Sequence, residues 1–182
     1  MIKGLLDAAH LEKNKLGLKF GLTSICDILS RSVQDINMQA KEKEISIVQD
    51  IHPLPKIWGD EERLTQVMVN LLVNAIKFTP QKGTITITAS DGKTEIKISV
   101  SDTGIGIPEH KITRIFDRFY QIDGSDNRKY GGVGLGLSIC KSIIEKHYGS
   151  IWAQSSGNGS TFHVVLPKLM QDKEKESGRA DD

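Results

Sequence analysis

Four polar residues on a single helical stripe are the first place in this sequence where chemistry is concentrated. At about 100° per residue, Gln66, Asn70, Asn74 and Lys77 share one narrow stripe of the segment Asp60 to Phe78. Leu64, Val67, Met68, Leu71, Leu72 and Ala75 cluster on the opposite side. An ordinary wet face would explain the split, but solvent faces favour Glu, Lys, Gln and Arg. Each Asn gives up roughly half a kcal/mol of helix propensity relative to Ala. Two asparagines one turn apart therefore also fit amide oxygens placed for a ligand. A second concentration is Asp102-Thr103-Gly104-Ile105-Gly106-Ile107-Pro108. It is either a capped glycine-rich turn or an acceptor beside a backbone that a flat ligand can approach without Cβ interference. The third is Lys129-Tyr130-Gly131-Gly132-Val133-Gly134-Leu135-Gly136-Leu137, a glycine-rich entry to a helix, where exposed N–H groups and the helix dipole favour an anion. No Gly-Lys-Ser/Thr follows, so it is not a P-loop, and its spacing is not the Gly-x-Gly-x-x-Gly of dinucleotide or eukaryotic-type kinase loops. Arg128 and Lys129 stand just upstream, either as cations for the same anion or as solvated loop charges.

The elements that must position these groups can be read from periodicity. A helix from about Met1 to Asn14 has no capping signal before it, and Gly17 and Gly21 break it. A second runs from about Ser24 to Lys43 with Ile25, Ile28, Leu29, Val33 and Ile36 as its apolar stripe. Glu44 to Ile51 reads as a half-buried strand ended by Pro53 and Pro55. Asp60 is a good N-cap for the helix that carries the polar stripe, with Glu61 and Glu62 in its first turn. Strands at Thr84 to Ala89 and Glu95 to Ser101, joined through Asp91-Gly92, deliver Asp102. A short helix from about Glu109 to Tyr120 precedes a polar, mobile stretch, Asp123 to Lys129. The glycine series then opens a helix ending at Gly149. Strands at Ile151 to Gln154 and Ser160 to Leu166 flank the turn Ser156 to Gly159, and Lys168 to Asp182 reads as a charged, solvated tail.

Length and composition limit what this set can do. A chain of 182 residues supports one substantial core, and a net charge of +1 without a basic stripe argues against a nucleic-acid partner. Cys26 and Cys140 are far apart in helix-like apolar patterns, which suggests neither a disulfide nor a metal site and fits a reducing setting. No apolar run approaches the ~20 residues of a membrane span.

Taken in order, the motifs resemble those of one family. Gln66-x-x-x-Asn70-Leu71-Leu72-x-Asn74-Ala75-Ile76-Lys77-Phe78-Thr79, Asp102-x-Gly104-x-Gly106, Phe116-Asp117-Arg118-Phe119, Gly132-x-Gly134-x-Gly136 and Gly159-Ser160-Thr161-Phe162 are similar to the N, G1, F, G2 and G3 boxes of sensor histidine kinases. The likeness spans about Ile45 to Pro167, and the residues before it resemble the end of the second dimerisation helix and its junction. It implies an α+β fold of the Bergerat type, a two-layer α/β sandwich with a mixed, mostly antiparallel sheet packed on helices and an N-terminal helical stub. The implied domains are residues 1–20 (helix end and junction), 21–167 (catalytic, ATP-binding) and 168–182 (charged tail).

The resemblance also implies roles. Asn74 with Asn70 would hold Mg²⁺ through amide oxygens, and Lys77 would meet phosphate. Asp102, supported by Ser160, would accept a hydrogen bond from the adenine amino group of ATP. Gly104, Gly106, Ile107 and Phe78 would border the base, and Gly132, Gly134, Leu135 and Gly136 would close on the phosphates. A lid from about Pro108 to Val133 would be anchored by Phe116 and Phe119. Gln66 occupies a place where some members carry a carboxylate proposed to help deprotonate the acceptor histidine; an amide can only orient by hydrogen bonding. Gln121 stands where several members have a lid arginine, which shifts that cationic role to Arg128 or Lys129, with Arg118 behind them. None of the five histidines sits in a His-Glu/Asp-Leu-Arg-x-Pro context. The expected activity is transfer of the ATP γ-phosphoryl group to a histidine on a dimerisation domain in cis or trans, with this chain inactive alone. A response-regulator receiver domain would be the downstream partner. The parent would be a homodimeric kinase, its catalytic part cytoplasmic and without membrane contact. A gyrase-, chaperone- or mismatch-repair-type ATPase would need a glutamate where Asn70 stands, and an ATP-dependent, non-catalytic binding module is the other alternative.

Overall fold

The structure is a computed structural model that describes residues 17–122 and 133–168. The expected first helix, the polar stretch 123–129 and the tail after Lys168 lie outside the described residues. Within them, helix starts follow the capping chemistry of the sequence. Ser24 Oγ accepts the Asp27 N–H at the start of helix α1 (Ile25–Glu42), and Asp60 Oδ1 accepts the Arg63 N–H at the start of α2 (Glu61–Phe78). A third helix, α3 (Gly136–Lys146), begins after Leu135 without a side-chain cap.

Five strands form the main sheet: β2 (Ser46–Ile51), β4 (Thr84–Asp91), β5 (Glu95–Asp102), β6 (Ser150–Ser155) and β7 (Ser160–Pro167), in the spatial order β2-β4-β5-β7-β6. The β2–β4 pair is parallel and the other pairs are antiparallel, as expected for a mixed, mostly antiparallel sheet. Alternation sorts the faces. Ile85, Ile87 and Ala89 of β4, with Ile96, Ile98 and Val100 of β5, are buried against the helices, and Phe162, Val164 and Leu166 continue that face on β7. The apolar stripe of α2 (Leu64, Val67, Met68, Leu71, Leu72) joins this core, as do Ile28 and Leu29 of α1 and Ile139, Ile143 and Ile144 of α3. The result is a helical layer on the five-stranded sheet.

Two local expectations are corrected. Where Gly17 and Gly21 read only as a helix break and Pro53 and Pro55 only as the end of a strand, the chain forms a small antiparallel ribbon of β1 (Gly21–Thr23) with β3 (Ile57–Gly59). Three-residue strands are too short to display an alternation. The helix expected over 109–120 is two separate 3-10 turns, Glu109–Lys111 and Arg114–Phe116. Asp117 is extended and Phe119 has φ +61°, so the chain leaves helical geometry to let the Phe119 N–H reach the Gly134 carbonyl at 2.9 Å.

Helix α2 is held at both ends. At its C-terminus, Lys43 Nζ donates to the carbonyls of Ile76, Lys77 and Thr79 at 2.7, 3.1 and 2.9 Å, a cation where the helix dipole is negative. At its N-terminus the Asp60 N–H donates to His147 Nε2 at 2.9 Å, and His147 Nδ1 donates to the Ile143 carbonyl at 2.8 Å. The Lys19 N–H donates to Asp60 Oδ2 at 2.7 Å and the Phe20 ring lies 5.0 Å from that of His147, so the entering chain meets this knot just ahead of the expected boundary at residue 21.

His147 is 3% exposed, and its Nε2 can accept only while the ring is neutral. Burial lowers its pKa, outweighing the Ile143 carbonyl and the Asp60 carboxylate, which raise it. The unfolded chain therefore takes up a proton near pH 6.5 that the folded chain does not. Stability is full above that pH and falls as pH drops toward the folded-state pKa, by at most about 1.4 kcal/mol per pH unit for one proton. His163, lowered by burial and then by Lys97, acts in the same direction. Urea unfolding at pH 7.5 and 5.5 is expected to show this loss, and a His147→Gln variant to show a shallower pH slope. An unchanged slope in the variant refutes the assignment.

Candidate functional site

The strand-end carboxylate is built by three segments. Asp102 closes β5 and is 9% exposed. Its Oδ1 accepts the Gly104 N–H at 2.8 Å and its Oδ2 accepts the Ser160 hydroxyl at 2.5 Å. Two acceptor positions are thereby used, out of about four that a carboxylate offers. The following loop is pressed onto its neighbours. A Cβ on Gly104 would stand 2.6 Å from both Asp102 Oδ1 and the Phe78 carbonyl oxygen. That carbonyl accepts the Ile105 N–H at 3.3 Å, which ties the last turn of α2 to this loop. Gly106 has φ +71°, and its Cβ would meet the Gly157 carbonyl oxygen at 2.6 Å. The Ile107 N–H donates to Ser155 Oγ at 2.9 Å.

The polar stripe of α2 is divided among different neighbours. Gln66 Oε1 accepts from Arg63 Nη1 at 2.9 Å, and Gln66 lines a depression of about 590 Å³ with Arg31, Glu61, Glu62, Thr65 and Val69, beside α1. Asn70 faces α3 instead. Its Oδ1 lies 3.5 Å from where a Gly136 Cβ would stand, and its side chain hydrogen-bonds Cys140. Burial pushes the Cys140 thiol up to about 12, so at neutral pH it is an uncharged partner, directed toward the Val67 carbonyl at 3.9 Å. Asn74 is half-buried on the same stripe. Lys77 is partly buried with Nζ 4.9 Å above the Phe78 ring, and burial lowers its pKa, a penalty that an arriving anion would relieve.

On the glycine-rich side, Gly134 accepts the Phe119 N–H, Leu135 is buried, and Gly136 opens α3 beside Asn70. Phe116 packs edge-on against Phe162 at 6.3 Å. The Phe119 ring is instead 65% exposed, so Phe119 is held by its backbone and not by its side chain. Arg128, Lys129 and Gly132 lie outside the described residues. The described site thus combines a hydrogen-bonded carboxylate, a backbone floor and amide oxygens near an uncapped helix start. Such an arrangement can bind a flat, amine-bearing group at one end and an anion with a hard cation at the other. Ser155, Arg63 and Cys140 had no signal in the sequence, because their partners lie on other elements or, for Arg63, on an ordinary helical surface.

A family profile described as histidine kinase-, DNA gyrase B- and HSP90-like ATPase matches residues 59–170. The adaptive-response sensory kinase SasA of Gloeothece citriformis is 39% identical over 170 residues, covering 92% of this chain and 43% of that protein. The chain therefore spans less than half the length of that relative. Full-length ShkA in complex with AMPPNP superposes with a TM-score of 0.81 at 31% identity, over 91% of this chain and 35% of that one. The catalytic domain of histidine kinase ThkA gives 0.74 at 31% identity, over 83% and 97% of the respective chains. ThkA in complex with the response regulator protein TrrA gives 0.76 at 27% identity, over 92% and 48%.

The loop geometry separates two glycine substitutions. Gly157 also has a positive φ, +99°, but nothing lies within 4 Å of its would-be Cβ. Gly157→Ala is expected to cost about 1 kcal/mol from backbone strain alone, and Gly106→Ala about 2–3 kcal/mol from strain plus overlap. Chemical denaturation of the two variants checks this; equal costs would show that the loop is not packed as described.

Proposed function

The chain belongs to the family of histidine kinase-, DNA gyrase B- and HSP90-like ATPases, and from that membership we propose that it is the ATP- and Mg²⁺-binding catalytic domain of a two-component sensor histidine kinase. It would donate the γ-phosphoryl group of ATP to a histidine on a dimerisation domain, in cis or trans. A receiver domain of a response regulator would then take the phosphoryl group. The parent would be a homodimer with this part in the cytoplasm. Among the described residues no helix is long and apolar enough to cross a membrane. The proposed organisation keeps the catalytic domain at 21–167, preceded by a helix end and junction and followed by a charged tail.

The observation that carries the reading is Asp102. An acceptor-only carboxylate, oriented by Gly104 and Ser160, suits the amino group of adenine and disfavours the carbonyl that guanine presents at the same place. Phe78, Gly104, Gly106 and Ile107 would bound the base. The phosphates would lie toward Lys77 and the uncapped start of α3 at Gly134, Leu135 and Gly136, with Arg128 or Lys129 as the lid cation. Amide oxygens of Asn74 and Asn70 suit a hard cation shared with phosphate, and the position of Asn70 against Gly136 supports that assignment. Bound Mg²⁺ would neutralise charge on the transferring phosphoryl group. The protein's own contribution would be positioning: Asn70 oriented by Cys140, Lys77 drawn onto phosphate, and Gln66 orienting by hydrogen bond without acting as a base. The full-length ShkA–AMPPNP and ThkA–TrrA structures support the nucleotide and the kind of partner, respectively. A gyrase-type hydrolase is disfavoured because Asn70 replaces the glutamate it would need.

Calorimetry is expected to show Mg²⁺-dependent ATP binding, weakened about tenfold or more in Asp102→Asn because a charged acceptor is lost. Parental affinity in that variant would disprove the adenine assignment. The chain alone is expected to incorporate no acid-labile phosphate from ATP, and adding a dimerisation domain that bears the acceptor histidine is expected to yield phosphohistidine. Binding without any such transfer would favour the non-catalytic module.

A further inference from the structure

We infer that Ser155 is a positioning residue that fixes the loop carrying Gly104 to Ile107 against Asp102, and so sets how tightly and selectively the base is received. The inference rests on the reading of Asp102 as the base acceptor. In the sheet register Asp102 pairs with Ser160 and Ser160 pairs with Ser155, which places three polar residues in one row across β5, β7 and β6 at the end of the sheet. Ser160 spends its proton on Asp102. Ser155, one strand farther out, spends its own on the Gly159 carbonyl at 2.7 Å and accepts the Ile107 N–H at 2.9 Å.

One hydroxyl therefore pins together two turns that arrive from different parts of the chain. The turn ending at Gly159 sits under the Asp102 backbone, where a Cβ on Gly159 would overlap the Asp102 carbonyl oxygen. The loop through Gly106 lies over it, with the would-be Gly106 Cβ 2.9 Å from Ser155 Oγ. Only a group that donates and accepts at a single atom can serve both partners, and in the half-buried Ser155 the hydroxyl does so. Removing it leaves the Ile107 N–H and the Gly159 carbonyl without that partner and frees the loop to move relative to Asp102. The row lies across β5, β7 and β6 and the pinned loop adjoins Asp102, so the consequence is read at the base end.

Ser155→Ala is expected to bind ATP and ADP about tenfold more weakly than the parent, each by the same factor, and its preference for ATP over GTP is expected to narrow. A purely structural loss would lower stability without narrowing base preference. In the parent, before any nucleotide is added, the Ile107 amide is expected to exchange with solvent far more slowly than an exposed loop amide, a measurement that needs no variant. Calorimetry and amide exchange decide the matter. Parental ATP affinity in Ser155→Ala, unchanged ATP/GTP discrimination, or rapid exchange of the parental Ile107 amide each overturns the inference while leaving the proposed function standing. A parent that binds no adenine nucleotide overturns both.

Discussion

The ammonium of Lys43 sits among the carbonyls of Ile76, Lys77 and Thr79, and the placement of the candidate-site groups follows from what that contact holds still. The last carbonyls of a helix have no partners within it and carry the negative end of its dipole. Here Lys43 takes three of them, and the Ile105 N–H takes the Phe78 carbonyl. Thr79 turns back onto Ala75 with both its N–H and its hydroxyl. The C-terminus of α2 is thus satisfied by α1 on one side and by the loop after Asp102 on the other. Lys77 and Phe78 leave the helix at a defined height beside that loop.

The opposite end is held by different chemistry toward the same purpose. Asp60 caps α2, receives the entering chain through the Lys19 N–H, and offers its own N–H to a neutral His147 at the end of α3. Between these fixed ends, α2 lays Leu64, Val67, Met68, Leu71 and Leu72 into the core and turns its amides outward. The asparagines weaken helix propensity modestly, and the buried stripe, worth roughly 1.5–3 kcal/mol per large apolar side chain, far outweighs that cost. A site rich in polar side chains can be precise here because the helix bearing it is anchored by groups outside the site.

Much of this was legible in the residues, and the boundary of legibility is physical. The start of α1 near Ser24, the cap at Asp60, the apolar stripe of α2 and the alternation of β4, β5 and β7 are local patterns, so they read correctly. Asp102, Gly104 and Gly106 were legible because a close backbone approach leaves glycines in the sequence. The β1–β3 ribbon was not, since Gly21–Thr23 and Ile57–Gly59 become strands only through each other. Nor was the role of Lys43, His147 or Ser155. Lys43 and His147 act on partners 33 to 87 positions away, and Ile107 lies 48 from Ser155. The 3-10 turns in place of one helix have a similar cause: the demand of Gly134 on the Phe119 N–H outweighs the local preference of residues 109–120.

The contrast among helix starts carries the synthesis one step further. Two of the described helices begin on side-chain caps, Ser24 for α1 and Asp60 for α2, and each cap satisfies an N–H that would otherwise have no partner. Helix α3 begins at Leu135 and Gly136 with no side-chain cap, although its first turn lies against Asn70 in a half-buried setting. An unfilled cap is a modest cost to stability when the chain is alone, and it is recovered when an anion occupies the place. Under the proposed function that anion is the triphosphate. The cap position itself is held by Leu135, whose side chain has no group to accept an N–H, and Gly136 beside it brings the first turn of α3 against Asn70, so that one bound group could touch both helices. Under that reading the carboxylate held by Gly104 and Ser160 stands where a base would be discriminated, and the start of α3, which has no side-chain cap, stands where charge would arrive and leave.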